Sequence, residues 1–180
     1  MEITSCQIPD LLIIKPKVFE DDRGYFYESY NAALFQKNNV DVNFVQDNQS
    51  LSQKGVLRGL HFQNPPYAQG KLVRVIKGAI LDVVVDIRKN SPTYGQHFDI
   101  ELNEKNKTQL WIPAGFAHGF LTLENDTIFS YKCTNYYNKA SEDCILWNDT
   151  DIAINWSIEN PILSEKDKMG KTFKSFVSQF

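Results

Sequence analysis

The sequence predicts an all-β fold, a sandwich or barrel, and three observations carry that prediction. Short runs rich in Val, Ile, Thr and aromatic residues follow one another closely between Gly- and Pro-containing breaks. Lys77-Gly78 joins two such runs directly, as a hairpin turn does. The run Leu81-Asp82-Val83-Val84-Val85-Asp86-Ile87-Arg88 is nearly continuous in apolar character, as in a central strand with a mostly covered face.

In order along the chain, Glu20-Asp21-Asp22-Arg23-Gly24 reads as a turn, and the aromatic alternation Tyr25-Phe26-Tyr27-Glu28-Ser29-Tyr30 as a strand. Asn31 is placed to cap a short helix through Ala32, Ala33, Leu34 and Phe35 that ends near Asn38-Asn39. Strands are then expected over 43–46, 55–63, 71–76, 79–87, 97–102, 108–112, 119–123 and 128–134. Asn64-Pro65-Pro66, Ser91-Pro92 and Pro113-Ala114-Gly115 interrupt them, because proline cannot donate to a ladder. Ser164-Glu165-Lys166-Asp167 has the spacing of a capping box and opens a helical tail toward Phe173 and Phe176. No repeat or linker divides the chain, so residues 1–180 are expected to form a single domain.

Composition narrows the function. A net charge of −3 without a clustered basic surface argues against a nucleic-acid partner. No apolar run approaches the roughly 18 residues of a membrane span, and Met1-Glu2-Ile3-Thr4-Ser5 has no signal-peptide character. Three cysteines, Cys6, Cys133 and Cys144, form no C-x-x-C pair, which points to reduced thiols in a cytoplasmic protein and away from a zinc knuckle. The five Asn-x-Ser/Thr triplets then carry no glycan meaning.

Chemistry concentrates where imidazoles and cations sit in apolar surroundings. Arg58-Gly59-Leu60-His61-Phe62-Gln63 places an imidazole beside a fixed cation, Lys71 and Arg74 follow, and Ala117-His118-Gly119-Phe120 offers a second imidazole. A neutral imidazole near its ordinary pKa of about 6.5 can take a proton at neutral pH. Read singly, His61 is better explained as a hydrogen-bonded core histidine, Asp167 is equally a helix-cap residue, and Tyr131 is one of several equivalent phenols beside Tyr25, Tyr94, Tyr136 and Tyr137.

The ordered motifs change that balance. Val56-Leu57-Arg58-Gly59-Leu60-His61-Phe62-Gln63, Gly70-Lys71-Leu72-Val73-Arg74-Val75, Asp82 to Arg88 with Ser91-Pro92-Thr93-Tyr94-Gly95, Leu110 to Phe120, Tyr131-Lys132-Cys133-Thr134 and Leu163 to Asp167 together resemble the dTDP-4-dehydrorhamnose 3,5-epimerase family from about Arg23 to Asp167. The resemblance implies a cupin-type jelly-roll β-sandwich, a homodimer working without metal or organic cofactor, and a dTDP-4-keto-6-deoxyhexose substrate inverted at C3 and C5. By motif it implies His61 as base, Tyr131 as acid, Asp167 as the carboxylate supporting His61, and Lys71 and His118 in the sugar pocket. Arg23, Glu28, Gln46, Asn48, Arg58 and Glu142 match substrate-binding positions, some reaching in from a partner chain.

These residue types suit the chemistry. C3 and C5 flank the C4 ketone, so losing either proton places negative charge on the ketone oxygen; a stabilising cation there, Lys71, is worth roughly 3 kcal/mol of barrier by analogy with oxyanion donors. A positioned base contributes about 10²- to 10⁴-fold. Inversion needs the proton returned on the opposite face, which calls for a second group, Tyr131. Aromatics such as Phe26 and Tyr137 are able to stack on the nucleotide base. Two rivals are a metal-dependent cupin, disfavoured because His61, His97 and His118 are far apart with no His-x-His pair, and a noncatalytic nucleotide-sugar binding module. A mono-epimerase or ketoisomerase on a related nucleotide sugar shares the same residues.

Overall fold

A computed structural model describes residues 1–180. The strands are β1 (Glu2–Ser5), β2 (Leu12–Lys15), β3 (Val18–Asp21), β4 (Gly24–Tyr27), β5 (Gln46–Ser52), β6 (Leu57–Gln63), β7 (Lys71–Lys77), β8 (Ala79–Asp86), β9 (His97–Asn103), β10 (Gln109–Ile112), β11 (Phe116–Thr122), β12 (Thr127–Cys133) and β13 (Glu142–Cys144). Helix α1 (Ala32–Lys37) lies between β4 and β5, and α2 (Glu165–Lys168) follows β13.

Two antiparallel sheets form the body, with strand orders β1-β2-β10-β7-β12-β5 and β13-β6-β11-β8-β9. Their inner faces share one core: Val73, Val75, Leu110, Ile112 and Phe129 from the first sheet meet Ile80, Val84, Leu102, Phe116 and Phe120 from the second. Side chains alternate across each strand, so each sheet has an outer face that also needs cover. Ile14, Leu72 and Trp111 bury theirs beneath Phe35 of α1 and Val40. Leu57, Leu60, Phe62, Val83, Val85 and Ile87 bury theirs beneath Ile145, Ile152, Trp156 and Phe176 of the C-terminal segment. Both faces of β8 are thereby covered, which explains its unbroken apolar run. It lies between β11 and β9, as a central strand should.

Several elements depart from the sequence-based expectation. The strand expected over 43–46 lies further on, at Gln46–Ser52, because its half-buried positions are the polar Gln46, Asn48 and Ser50 and its pattern lacks apolar alternation. Strands β1, β3 and β13 carry too few apolar residues over three or four positions to stand out from loops, and β2, though apolar at Leu12, Ile13 and Ile14, is only four residues long. The aromatic alternation ends early, at Tyr27, and β4 pairs only with β3 in an exposed hairpin. The C-terminal tail is not continuous helix: after α2 the chain passes Gly170, where a Cβ would come within 2.6 Å of the Leu146 amide nitrogen, and makes only a 3-10 turn at Phe173–Ser175. The expected caps are present, with Asn31 accepting from the Leu34 amide and Ser164 and Asp167 exchanging the two bonds of a capping box.

Candidate active site

The site lies at one end of the shared core, where the inward rows of both sheets change from apolar to polar. On β7 the inward row runs Val75, Val73, Lys71; on β12 it runs Phe129, Tyr131, Cys133. Backbone register sets Tyr131 opposite Asn48 on β5 and Val73 on β7. From the second sheet, β6 brings His61 opposite Cys144 of β13 and His118 of β11. Gln46, Asn48, His61, Gln63, Lys71, Tyr131, Tyr137 and Glu142 line a cavity of about 430 Å³ between them.

His61 is partly exposed to this cavity, and its Nε2 stands 2.7 Å from Oδ1 of the buried Asp167. The contact is short but not well aligned, so Nε2 lacks a hydrogen bond of good geometry. Asp167 also accepts from the Gly59 amide at 3.2 Å and from Ser164. Burial works against its charge, but His61, Ser164 and Gly59 outweigh burial and hold its pKa at about 2. A fixed anion behind the imidazole orients the ring.

Lys71 makes no ion pair or hydrogen bond within the chain, and its Nζ lies 6.0 Å from the Tyr131 ring centroid. Burial lowers its pKa, opposed by Cys133, Asp82 and Glu142. The residue keeps some exposure through the cavity, which limits that drop. Burial raises the Tyr131 phenol, so it is a protonated donor at neutral pH, while Asn48 and Arg58 ease its ionisation. Glu142 is committed to Lys166 and to the hydroxyl of Tyr137, which donates to it at 3.0 Å.

His118 sits deeper, fully in the core, with Nε2 2.9 Å from Oδ2 of Asp82. Burial lowers its pKa despite Asp82, so the imidazole is neutral and donates from Nε2. Arg58 stands beside the cavity with its guanidinium near Ser52 Oγ. Arg23 and Glu28 are not brought to it: Arg23 is exposed on the β3–β4 hairpin, paired with Asp21, and Glu28 accepts from Asn31. Sequence reasoning passed over Gln63, Gln69, Asp82 and Lys166. For Gln63 the signal was its place beside His61 at the end of a strand, where a buried amide needs partners and finds the Tyr67 and Tyr136 carbonyls.

One triangle has metal-ligand spacing, since His61, Cys144 and Asp167 offer donor atoms within 4.8 Å of one another. Burial pushes the Cys144 thiol up to about 12, and it donates to the Ile145 carbonyl. With the thiol neutral and both Asp167 oxygens already engaged, this trio fits a packed acid–base pair better than a ligand set.

A family model described as dTDP-4-dehydrorhamnose 3,5-epimerase matches residues 5–175. The chain belongs to the dTDP-4-dehydrorhamnose 3,5-epimerase family. It is 56% identical over 169 residues to the dTDP-4-dehydrorhamnose 3,5-epimerase of Salmonella typhimurium, covering 93% of this chain and 92% of that one. Its fold matches the dTDP-6-deoxy-D-glucose-3,5-epimerase of Legionella pneumophila in complex with dTDP-4-keto-L-rhamnose, with TM-score 0.94, 47% identity and coverage of 98% and 94% of the two chains. A 3'-monoepimerase from Streptomyces bikiniensis in complex with dTDP-quinovose is more distant, at 31% identity and TM-score 0.89 over 94% and 87%. As a member of this epimerase family the chain is an isomerase-class enzyme with the family's jelly-roll fold.

Proposed function

We propose that the chain inverts C3 and C5 of a dTDP-4-keto-6-deoxyhexose by removing each proton to His61, holding the enolate against Lys71, and returning a proton from Tyr131. The observation that carries this reading is that His61 and Tyr131 line the same cavity from opposite sheets, and the unpaired Lys71 ammonium lines it with them. An enolate face open to a base on one side and a phenol on the other is what inversion requires, and a single base cannot provide both. Cavity electrostatics support the roles: Asp167 stabilises the imidazolium as it forms, and Lys71 meets the ketone oxygen where negative charge grows. Gln46, Asn48 and Glu142 supply polar contacts to the ligand, and Tyr137 at the rim suits a stacked base.

The chain works as a homodimer in this reading. Arg23 and Glu28 are substrate-binding by motif yet lie away from their own chain's cavity, on or next to a hairpin whose Phe19, Tyr25 and Phe26 are left exposed. Exchange of hairpins between two copies accounts for both facts. Free Cys6, Cys133 and Cys144 support a reducing, cytoplasmic setting, and no helix is long and apolar enough to cross a membrane.

NMR of the reaction of dTDP-4-keto-6-deoxyglucose in D₂O tests the reading. Deuterium is expected at both C3 and C5 with the native chain, none with His61→Asn, and uptake without full inversion with Tyr131→Phe. Labelling at C3 alone would replace it with the mono-epimerase reading. Unimpaired exchange in His61→Asn would remove the histidine from its role.

A further inference from the structure

We propose that Asp82 is a positioning residue for catalysis: held in the shared core by His118, its free carboxylate oxygen is the counter-charge that keeps Lys71 charged and directed into the cavity. The inference rests on Lys71 as enolate stabiliser and adds what maintains that lysine in its working form.

Three carboxylates surround the site, and their commitments differ. Asp167 has one oxygen on His61 and the Gly59 amide and the other on Ser164. Glu142 holds Lys166 with one oxygen and the Tyr137 hydroxyl with the other. Asp82 alone has an uncommitted oxygen: Oδ2 accepts from His118, while Oδ1 is buried with no partner at all. A buried carboxylate oxygen without a donor is costly, and structures rarely keep one without a compensating charge.

That charge is Lys71, which also lacks a partner. Both residues belong to inward rows, Lys71 ahead of Val73 and Val75 on β7, and Asp82 between Ile80 and Val84 on β8. The charged and titratable groups that act on the ammonium or share its cavity are Asp82, Glu142, Cys133, Lys166, the Tyr131 phenol and the two imidazoles. Burial raises the Cys133 thiol, so it carries no charge at neutral pH. The Glu142 charge is matched by Lys166. His118, neutral through burial, donates a hydrogen bond to Asp82 without cancelling its charge. Asp82 therefore contributes the unmatched anion acting on the ammonium, and attraction across a weakly polar interior is what opposes desolvation of the lysine. The arrangement leaves Lys71 charged but not consumed by a direct ion pair, so its donors stay available to the ketone oxygen.

Asp82→Asn keeps the shape and the bond to His118 while removing the charge. Without that anion the lysine is expected to titrate lower, so activity relative to wild type falls progressively between the two midpoints, by about tenfold once pH exceeds the wild-type one, and recovers as pH falls and the lysine reprotonates. In a Lys71→Met background the same substitution should add little further loss, as a double-mutant cycle reads directly. NMR of ¹⁵N-labelled Lys71 Nζ gives the titration without reference to turnover. In the unmutated protein the Asp82 carboxyl carbon should shift at the Lys71 midpoint, a measurement that stands even if Asp82→Asn does not fold. An activity ratio independent of pH, an unmoved Lys71 titration, or an Asp82 carbon blind to Lys71 would each overturn the inference. Activity retained in Lys71→Met would instead remove the enolate role of the lysine and leave the coupling itself to be judged by NMR.

Discussion

At the scale of single residues, the site is a set of charges placed where water cannot screen them. Asp167 shows this most plainly, because burial alone would raise its pKa, yet donors from His61, Ser164 and Gly59 bring it to about 2 from the usual 3.8. A carboxylate with a lowered pKa stabilises the fold above its unfolded value and loses that contribution as pH falls through the folded one. The window is therefore pH 4 to 2, and the difference is on the order of 2 kcal/mol. Chemical denaturation of wild type and Asp167→Asn should show a stability gap at pH 6 that closes by about this amount at pH 2. A constant gap would mean that the carboxylate acts by packing and not by charge. His61 alone was readable as an active group or a core histidine; both it and His118 have a carboxylate beside the ring, but only His61 opens into the cavity, which supports the first reading.

Strand geometry fixes where those residues point. The register of β6 against β11 shifts between His118 and Phe120, and the close approach of Gly59 to Gly119 occupies that irregularity. Gly59 has φ +144, and a Cβ there would lie 2.5 Å from the Gly119 Cα, so two backbones touch where no side chain fits. The same residue's amide donates to Asp167, tying the strand that carries His61 to the helix that carries Asp167. Gly59→Ala should therefore cost roughly 3 kcal/mol or more of stability, read as a lowered urea midpoint, and should depress turnover in whatever protein folds. A variant of wild-type stability would show that the strands can part without cost. Helix α2, only four residues long, owes its place to the capping box and not to helix propensity, and the sequence signature S-x-x-D made it legible.

For the whole molecule, the proposed exchange of β3–β4 hairpins makes each cavity a joint product of two chains. Arg23→Ala and His61→Asn would then damage different halves of one site, and mixing the two inactive variants should restore activity through mixed dimers that carry one intact site. Sedimentation should report twice the chain mass, and a monomer active on its own would rule the arrangement out. Much of the sandwich was legible along the chain, because β7, β8, β11 and β12 bury apolar rows whose period is a property of sequence alone. Strand β5 was not, since its inward Gln46 and Asn48 face a polar cavity and break the alternation that marks a buried strand. Nor was Asp82, which reads as an ordinary interruption in an apolar run until β8 and β11 set it beside His118. The sequence by itself determined the residue types, their order and the all-β pattern, because these follow from local periodicity and motif. Only the tertiary structure decided which acids face which bases, which carboxylate oxygen goes unpaired, and which motif residues lie outside their own chain's cavity, because those depend on strand register and burial between positions distant along the chain.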